Sequence, residues 1–157
     1  MEDKKMKISK NFVLQEFVYP EAFAKHGADA IDFIDKKLID IAEFIRTKIG
    51  VPITINNWHT GGQFKESGLR NPNTTTGAKL SQHKLGKAID TKAKGYDGQK
   101  WYDFVKANSK ALYDLGVRRI EHKSLATTWL HIDLKEHGKK CIQVVDLVKV
   151  VEEINLI

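Results

Sequence analysis

The sequence predicts an α+β fold in which helices pack on one side of a small antiparallel sheet. Two segments, 30–49 and 99–115, repeat apolar residues every three or four positions, as amphipathic helices do. In contrast, "AIDTKA" at 88–93 has the β-branched residues of a strand, and "TWLHIDL" at 128–134 alternates apolar and polar side chains. Because 157 residues can bury one core and no linker or repeat divides them, residues 1–157 are expected to form a single domain.

The first part of the chain predicts a short turn, a long helix and a strand. "ISKNFVLQEFV" is expected to open the fold with an amphipathic turn capped by Ser9 or Asn11. The helix over 30–49 presents one apolar stripe and ends at Gly50. "PITIN" then predicts a strand.

The remainder predicts a long loop, one helix, a hairpin of two strands and a C-terminal extension around the "AIDTKA" strand. Residues 58–79 are rich in Gly, Asn and Thr and predict an irregular loop, which at this length is often functional. The helix over 99–115 ends at Gly116, and "VRRIEH" and "TWLHIDL" are expected to pair as a hairpin. A C-terminal extension, 136–157, is predicted to be helical from its apolar spacing, although its many valines leave a strand open.

Composition narrows the classes of function. The single Cys141 excludes an internal disulfide and a cysteine zinc cage within one chain, and it suits a reducing compartment. The charged N-terminus predicts no signal peptide, and no segment is long and apolar enough to span a membrane, so synthesis in the cytoplasm is expected. A net charge of +6 favours anionic partners such as a cell-wall polymer. Nucleic acid is an unlikely partner, because basic and acidic residues alternate and no recognition motif is present.

The segment "SQHKLGKAID" at 81–90 places a histidine and a carboxylate seven residues apart. Gly86 lies between His83 and Asp90, and the residues that follow favour a strand, so a loop running into a strand is the better interpretation than a helix. In that geometry His83 and Asp90 can converge on one point, as metal ligands must.

The strand "TWLHIDL" contributes a second histidine. Its apolar residues belong to one face, while Trp129, His131 and Asp133 project from the other and resemble the floor of a cleft. If this strand pairs antiparallel with "AIDTKA", directly opposed side chains lie about 5 Å apart, close enough for Asp90 and His131 to share a zinc ion. Two histidines and one carboxylate with an open fourth position are the ligands of a catalytic zinc site.

These two motifs resemble the SxHxxGxAxD and HxD signatures of the M15 peptidases. Those zinc enzymes act on peptidoglycan stem peptides and share a fold with D-alanyl-D-alanine carboxypeptidases and the hedgehog signalling domain. The likeness is greatest to the compact branch common in phages and prophages, and it extends to "ISKNFVLQEF" and to "SGLR", where Leu69 replaces the usual aromatic residue. It covers roughly residues 8–135.

The resemblance implies that His83, Asp90 and His131 bind zinc. It also implies that Arg70 holds a substrate carboxylate or polarises the scissile carbonyl, tasks that suit a planar guanidinium. Bound zinc would lower the pKa of its water to about 7.

The general base is the point at which this chain departs from the family. Many relatives keep an acidic residue three positions before the last histidine ligand, where this chain has Thr128. The nearest substitutes are Glu121 and Asp133. We favour Glu121 as the base, since Asp133 is better placed to orient a ligand.

The expected function is that of a zinc metallopeptidase, with Zn²⁺ as cofactor and a peptidoglycan peptide as partner. It would be phage-encoded, an endolysin or virion-associated protein, acting at the bacterial cell wall after release at lysis or as part of the particle. The alternative is a non-catalytic phage structural or wall-binding protein that keeps the fold. The remaining histidines are interpreted as ordinary polar residues: His26, His59, His122 and His137.

Overall fold

The computed structural model describes residues 4–157 as an α+β fold with one six-stranded mixed sheet and four α-helices. The helices are α1 (Pro20–His26), α2 (Lys37–Ile49), α3 (Gly98–Ala107) and α4 (Ser109–Leu115). The strands are β1 (Ile53–Thr54), β2 (Ala88–Ala93), β3 (Arg119–Glu121), β4 (Leu130–Asp133), β5 (Cys141–Asp146) and β6 (Lys149–Asn155). Short 3₁₀ turns cover Leu14–Glu16, Gly27–Phe33 and Trp58–Thr60. No helix within residues 4–157 has the length and apolar character needed to cross a membrane.

The sheet has the order β1-β2-β4-β3-β5-β6 and is mixed, whereas the sequence predicted an antiparallel sheet. Strands β3 and β5 run parallel, while the remaining pairs are antiparallel. The predicted hairpin of β3 and β4 and the pairing of β4 with "AIDTKA" are both confirmed. One side of the central strands contributes Ile89, Ile120 and Ile132 to the buried core with the helices.

The predicted helix over 30–49 is interrupted. Its first part is the 3₁₀ turn, and α2 begins only after Asp35, whose carboxylate accepts a hydrogen bond from the Lys37 N–H at 3.0 Å. The Asp35 N–H donates to the Gly86 carbonyl at 2.8 Å instead of continuing the helix. The interruption therefore attaches this region to the loop that carries His83.

The predicted helix over 99–115 consists of two helices that meet at Asn108. The Asn108 side chain donates to the Phe104 carbonyl at 2.9 Å, a local bond that competes with the helical pattern. Next to it, the buried Ser109 hydroxyl donates to the Asn155 carbonyl and accepts from the Ile157 N–H. The end of the chain is thereby attached to the break between α3 and α4.

The helix predicted in the extension 136–157 is wrong, because β5 and β6 form a hairpin there. The β-branched residues that made a strand the alternative pack on the pleated surface, and Cys141 to Val145 are buried. The turn between them places Leu147 at φ 55°. Since β5 lies between β3 and β6, the extension is part of the sheet rather than an appendage to it.

Candidate metal centre

Three side chains meet on the polar side of the sheet. His83 Nε2 lies 3.2 Å from Asp90 Oδ1 and 3.2 Å from His131 Nδ1, and His131 Nδ1 lies 2.9 Å from Asp90 Oδ1. His83 is buried, whereas the side chains of Asp90 and His131 are 17% and 15% exposed. The three predicted ligands therefore form a compact donor triangle that is reachable from one side.

Sheet register places two of the three donors. Strands β2 and β4 pair so that Asp90 lies directly opposite His131, while the neighbouring pair, Ile89 and Ile132, turns into the core. Directly opposed residues of an antiparallel pair project to the same side, which brings the carboxylate and the imidazole together.

The third donor depends on a glycine. Gly86 has a φ of 68°, and a Cβ on it would lie 1.9 Å from the Phe33 carbonyl oxygen. Only glycine satisfies both the left-handed backbone and this close approach. The turn that follows His83 can therefore fold back into β2 and return the chain to Asp90.

The two imidazoles are oriented by bonds on their far sides. His83 Nδ1 donates to the Gly68 carbonyl at 2.9 Å, and His131 Nε2 donates to Asp133 Oδ2 at 3.1 Å. With those nitrogens protonated, the lone pairs of His83 Nε2 and His131 Nδ1 both point at the Asp90 carboxylate. Three acceptors that face one another favour a positive charge among them, either a metal ion or a proton shared between His131 and Asp90.

The donor triangle fits a tetrahedral zinc ion. Bonds of about 2.0–2.1 Å at tetrahedral angles separate neighbouring donors by about 3.3 Å, close to the observed 2.9–3.2 Å. Nitrogen and carboxylate donors are also those that zinc prefers. His83, Asp90 and His131 therefore form a donor cluster that could hold a metal ion.

The charges at the centre are strongly coupled. Burial raises the pKa of the Asp90 carboxyl, but the neighbouring His83 and His131 outweigh that effect and hold the pKa well below its usual range. Burial lowers the pKa of His131, but hydrogen bonds to Asp133 and Asp90 outweigh it and raise the pKa to about 10. Both directions follow from the attraction between the imidazoles and the carboxylates at this point.

Asp133 orients His131 and does not open to the cleft. The residue is 0% exposed, and its carboxylate accepts two bonds from Arg119, at 2.9 and 2.8 Å, and one from the Lys135 N–H at 3.1 Å. Since it contacts the imidazole nitrogen that faces away from Asp90, it fixes the ring rather than reaching a substrate.

Glu121 lies on the same side of the sheet as the donors. The register of β3 with β4 pairs Arg119 with Asp133 and Ile120 with Ile132, and strand alternation places Glu121 on the same side of the sheet as Arg119. Glu121 is half-buried, and within residues 4–157 its carboxylate makes no hydrogen bond or ion pair. The exposed Thr128, in contrast, lies before β4.

Arg70 lies beside the centre but is covered. It is 9% exposed, its guanidinium donates to the Glu66 carbonyl at 3.3 and 3.4 Å, and a Cβ on Gly77 would lie 2.5 Å from its Nη1. Its backbone N–H donates to the His83 carbonyl at 3.0 Å. Contact between this guanidinium and a substrate requires movement of the segment around Gly77.

The segment 66–70 supports the centre in ways that the sequence did not reveal. The Ser67 carbonyl accepts from the Asp90 N–H at 2.7 Å, and the Gly68 carbonyl holds His83. Lys92, two residues after Asp90, was likewise missed, as was Arg119 behind Asp133. The period-two rule could have placed Lys92 on the site face, but nothing in the sequence indicates backbone contacts of the segment.

The four other histidines have local partners away from the centre. His26 packs edge-on against Phe33, His59 packs edge-on against Trp58, His122 bonds to the Ser124 hydroxyl, and His137 bonds to the Arg118 carbonyl.

In comparisons with known proteins, no family model, no curated protein and no solved structure matches this chain.

Proposed function

We propose that this chain is a zinc-dependent peptidase that hydrolyses stem or cross-bridge peptides of peptidoglycan. The observation that supports it is the convergence of His83, Asp90 and His131, taken from two separate motifs, into a donor triangle of zinc dimensions. The proposal includes a hedgehog/DD-peptidase-like fold, a phage origin, and action at the bacterial cell wall after lysis or from the particle.

His83, Asp90 and His131 would hold the zinc ion through Nε2, Oδ1 and Nδ1. When bound, zinc would supply Lewis acidity that activates water near neutral pH. Gly68 and Asp133 keep the two rings in the tautomers that leave those nitrogens free to bind a metal.

Glu121 is the proposed general base. Its place on the same side of the sheet as Arg119 and Asp133, half-buried and free of a protein partner within residues 4–157, suits a carboxylate that must exchange a proton with the reacting groups. Arg70 is the proposed partner of a substrate carboxylate or carbonyl once the segment around Gly77 moves.

Thr128 favours one alternative, a non-catalytic structural or wall-binding protein of a phage. The position three residues before His131 carries an exposed hydroxyl where an acid would be expected. In that case the zinc ion would stabilise the fold without turnover.

Turnover of purified peptidoglycan separates the two functions. We expect release of new amino groups by the zinc-loaded chain, loss of that release with a chelator, and its return when zinc is restored. Glu121→Gln should reduce turnover by about 10²–10⁴-fold with unchanged zinc affinity, because a general base contributes that much. Glu136→Gln, at an exposed carboxylate that pairs with Arg118, is the matched control.

Zinc binding without turnover would favour the non-catalytic alternative. Full turnover by the Glu121→Gln variant would assign the proton transfer to another group. Failure of the chain to bind zinc would overturn both functions.

A further inference from the structure

A lysine side chain, that of Lys92, lies next to the donor triangle. Lys92 follows Asp90 by two residues on β2, so the two side chains project from the same face with Cα atoms about 6.7 Å apart. Lys92 Nζ donates to the Ser67 hydroxyl at 2.8 Å and lies 4.0 Å from the centre of the Phe64 ring. Within residues 4–157 Lys92 forms no ion pair, although it is partly buried.

A cavity opens at this cation. Its volume is about 530 Å³, and its walls include Thr54, Asn57, Phe64, Lys92 and Lys94. Phe64 provides an apolar wall, while Lys92 and Lys94 provide two positive charges and no carboxylate lines the cavity. Such a surface complements a peptide that is partly apolar and carries an anion.

We propose that this cavity is a substrate subsite in which Lys92 binds a carboxylate of the peptide. An extended peptide advances about 3.3–3.6 Å per residue, so the distance between the Cα atoms of Asp90 and Lys92 corresponds to about two residues of a bound peptide. The carboxylate therefore belongs within two residues of the bond that is cleaved at the metal centre. The inference rests on the proposed function for its substrate class.

Lys92 is suited to this task because it is already held in place. The Ser67 hydroxyl and the Phe64 ring restrict its side chain, so little conformational freedom is lost when a carboxylate binds. Arg70, in contrast, is covered near Gly77, whereas Lys92 lines an open cavity. Lys92 is therefore the better-placed cation for selecting an acidic peptide.

The test uses the zinc-loaded full chain and three synthetic peptides. The parent is L-Ala-γ-D-Glu-L-Lys-D-Ala-D-Ala, the second carries an amide in place of the α-carboxylate of D-Glu, and the third carries a C-terminal amide. Calorimetric Kd values are measured for all three, with kcat/KM for any peptide that is cleaved. The variants are Lys92→Met, which keeps the apolar stem, and Lys100→Met as control, since Lys100 lies over the Tyr96 ring at 4.3 Å in another part of the fold.

We expect one of the two amidated peptides to bind, or be cleaved, about tenfold more weakly than the parent, and that peptide identifies which carboxylate is recognised. Lys92→Met should remove the discrimination, and Lys100→Met should keep it. The subsite is overturned if the parent chain treats all three peptides alike, binds none of them, or discriminates equally after Lys92→Met. Discrimination in Kd that depends on Lys92, without cleavage of any peptide, would support the subsite and contradict the peptidase.

Discussion

Replacement of Asp133 by Asn tests whether the carboxylate behind His131 controls the metal centre. Asn has the same shape, but its amide nitrogen donates where a carboxylate oxygen accepts. If that nitrogen faces His131 Nε2, the ring proton moves to Nδ1, the atom that faces Asp90. Loss of such an orienting partner weakens metal affinity about 10–100-fold.

The same substitution has a separate effect on stability. Arg119 is 19% exposed and loses a bidentate partner that is 1% exposed. Breaking an exposed pair costs about 0–1 kcal/mol, and breaking a buried pair costs about 3–5 kcal/mol. Because this pair lies between those limits, we expect Asp133→Asn to lower the free energy of unfolding by about 2–3 kcal/mol.

Competition with a chromophoric chelator measures the zinc Kd, and urea unfolding with and without zinc measures stability. Glu136→Gln is the control, since Glu136 pairs with Arg118 at 2.8 Å but is 71% exposed. That variant should keep the zinc Kd and change stability by less than about 1 kcal/mol. An Asp133→Asn chain that binds zinc as tightly as the parent would refute the role of Asp133 in orienting His131 for the metal.

Two further predictions concern the support of the fold. Gly68→Ala should weaken zinc binding and destabilise the chain, because its Cβ would lie 2.3 Å from the Phe17 carbonyl oxygen. Gly61→Ala is the control and should leave the zinc Kd unchanged, because nothing lies within 4 Å of its Cβ. Equal effects of the two variants on the zinc Kd would contradict the role of Gly68 in holding His83. Burial raises the pKa of Glu43, but hydrogen bonds from Ser9 and Asn11 outweigh it and lower the pKa below its usual value. The resulting stabilisation is present above that usual value and is lost as pH falls through the folded-state pKa. The free energy of unfolding of Glu43→Gln, measured in urea, should therefore lie below that of the parent at pH 7 and approach it at pH 3. An equal difference in that free energy at both pH values would show that the Glu43 carboxylate does not cause the pH dependence.

Short-range patterns predicted the parts of the fold that depend on one segment. Alternation in "TWLHIDL" predicted which side of β4 is buried, and the pairing with "AIDTKA" then followed in the correct register. The prediction of a helix in the extension failed because the apolar spacing of a valine-rich segment fits both a helix and a strand. What decides is the parallel pairing of β5 with β3, a contact between distant parts of the chain.

The residues of the candidate site also differ in whether local sequence could predict them. His83, Asp90 and His131 could be predicted because residue type and spacing identify them as donors. The interruption before α2 could not be predicted, because it depends on the hydrogen bond from the Asp35 N–H to the Gly86 carbonyl, and no local sequence pattern encodes that bond. Arg119 resembles any exposed cation in the sequence, and only the fold brings it to Asp133.

The two kinds of support have different consequences for the metal centre. Asp90 and His131 are brought opposite each other by the hydrogen bonds of a sheet, and Asp133 then orients the His131 ring. His83 comes from a turn whose position depends on backbone contacts at Gly68 and Gly86. A metal ion bound by all three side chains would join the turn to the sheet, and its binding energy would stabilise the least regular of the three ligand positions. Changes in the turn and in segment 66–70 should therefore alter metal affinity through His83, while the β2–β4 pair remains intact.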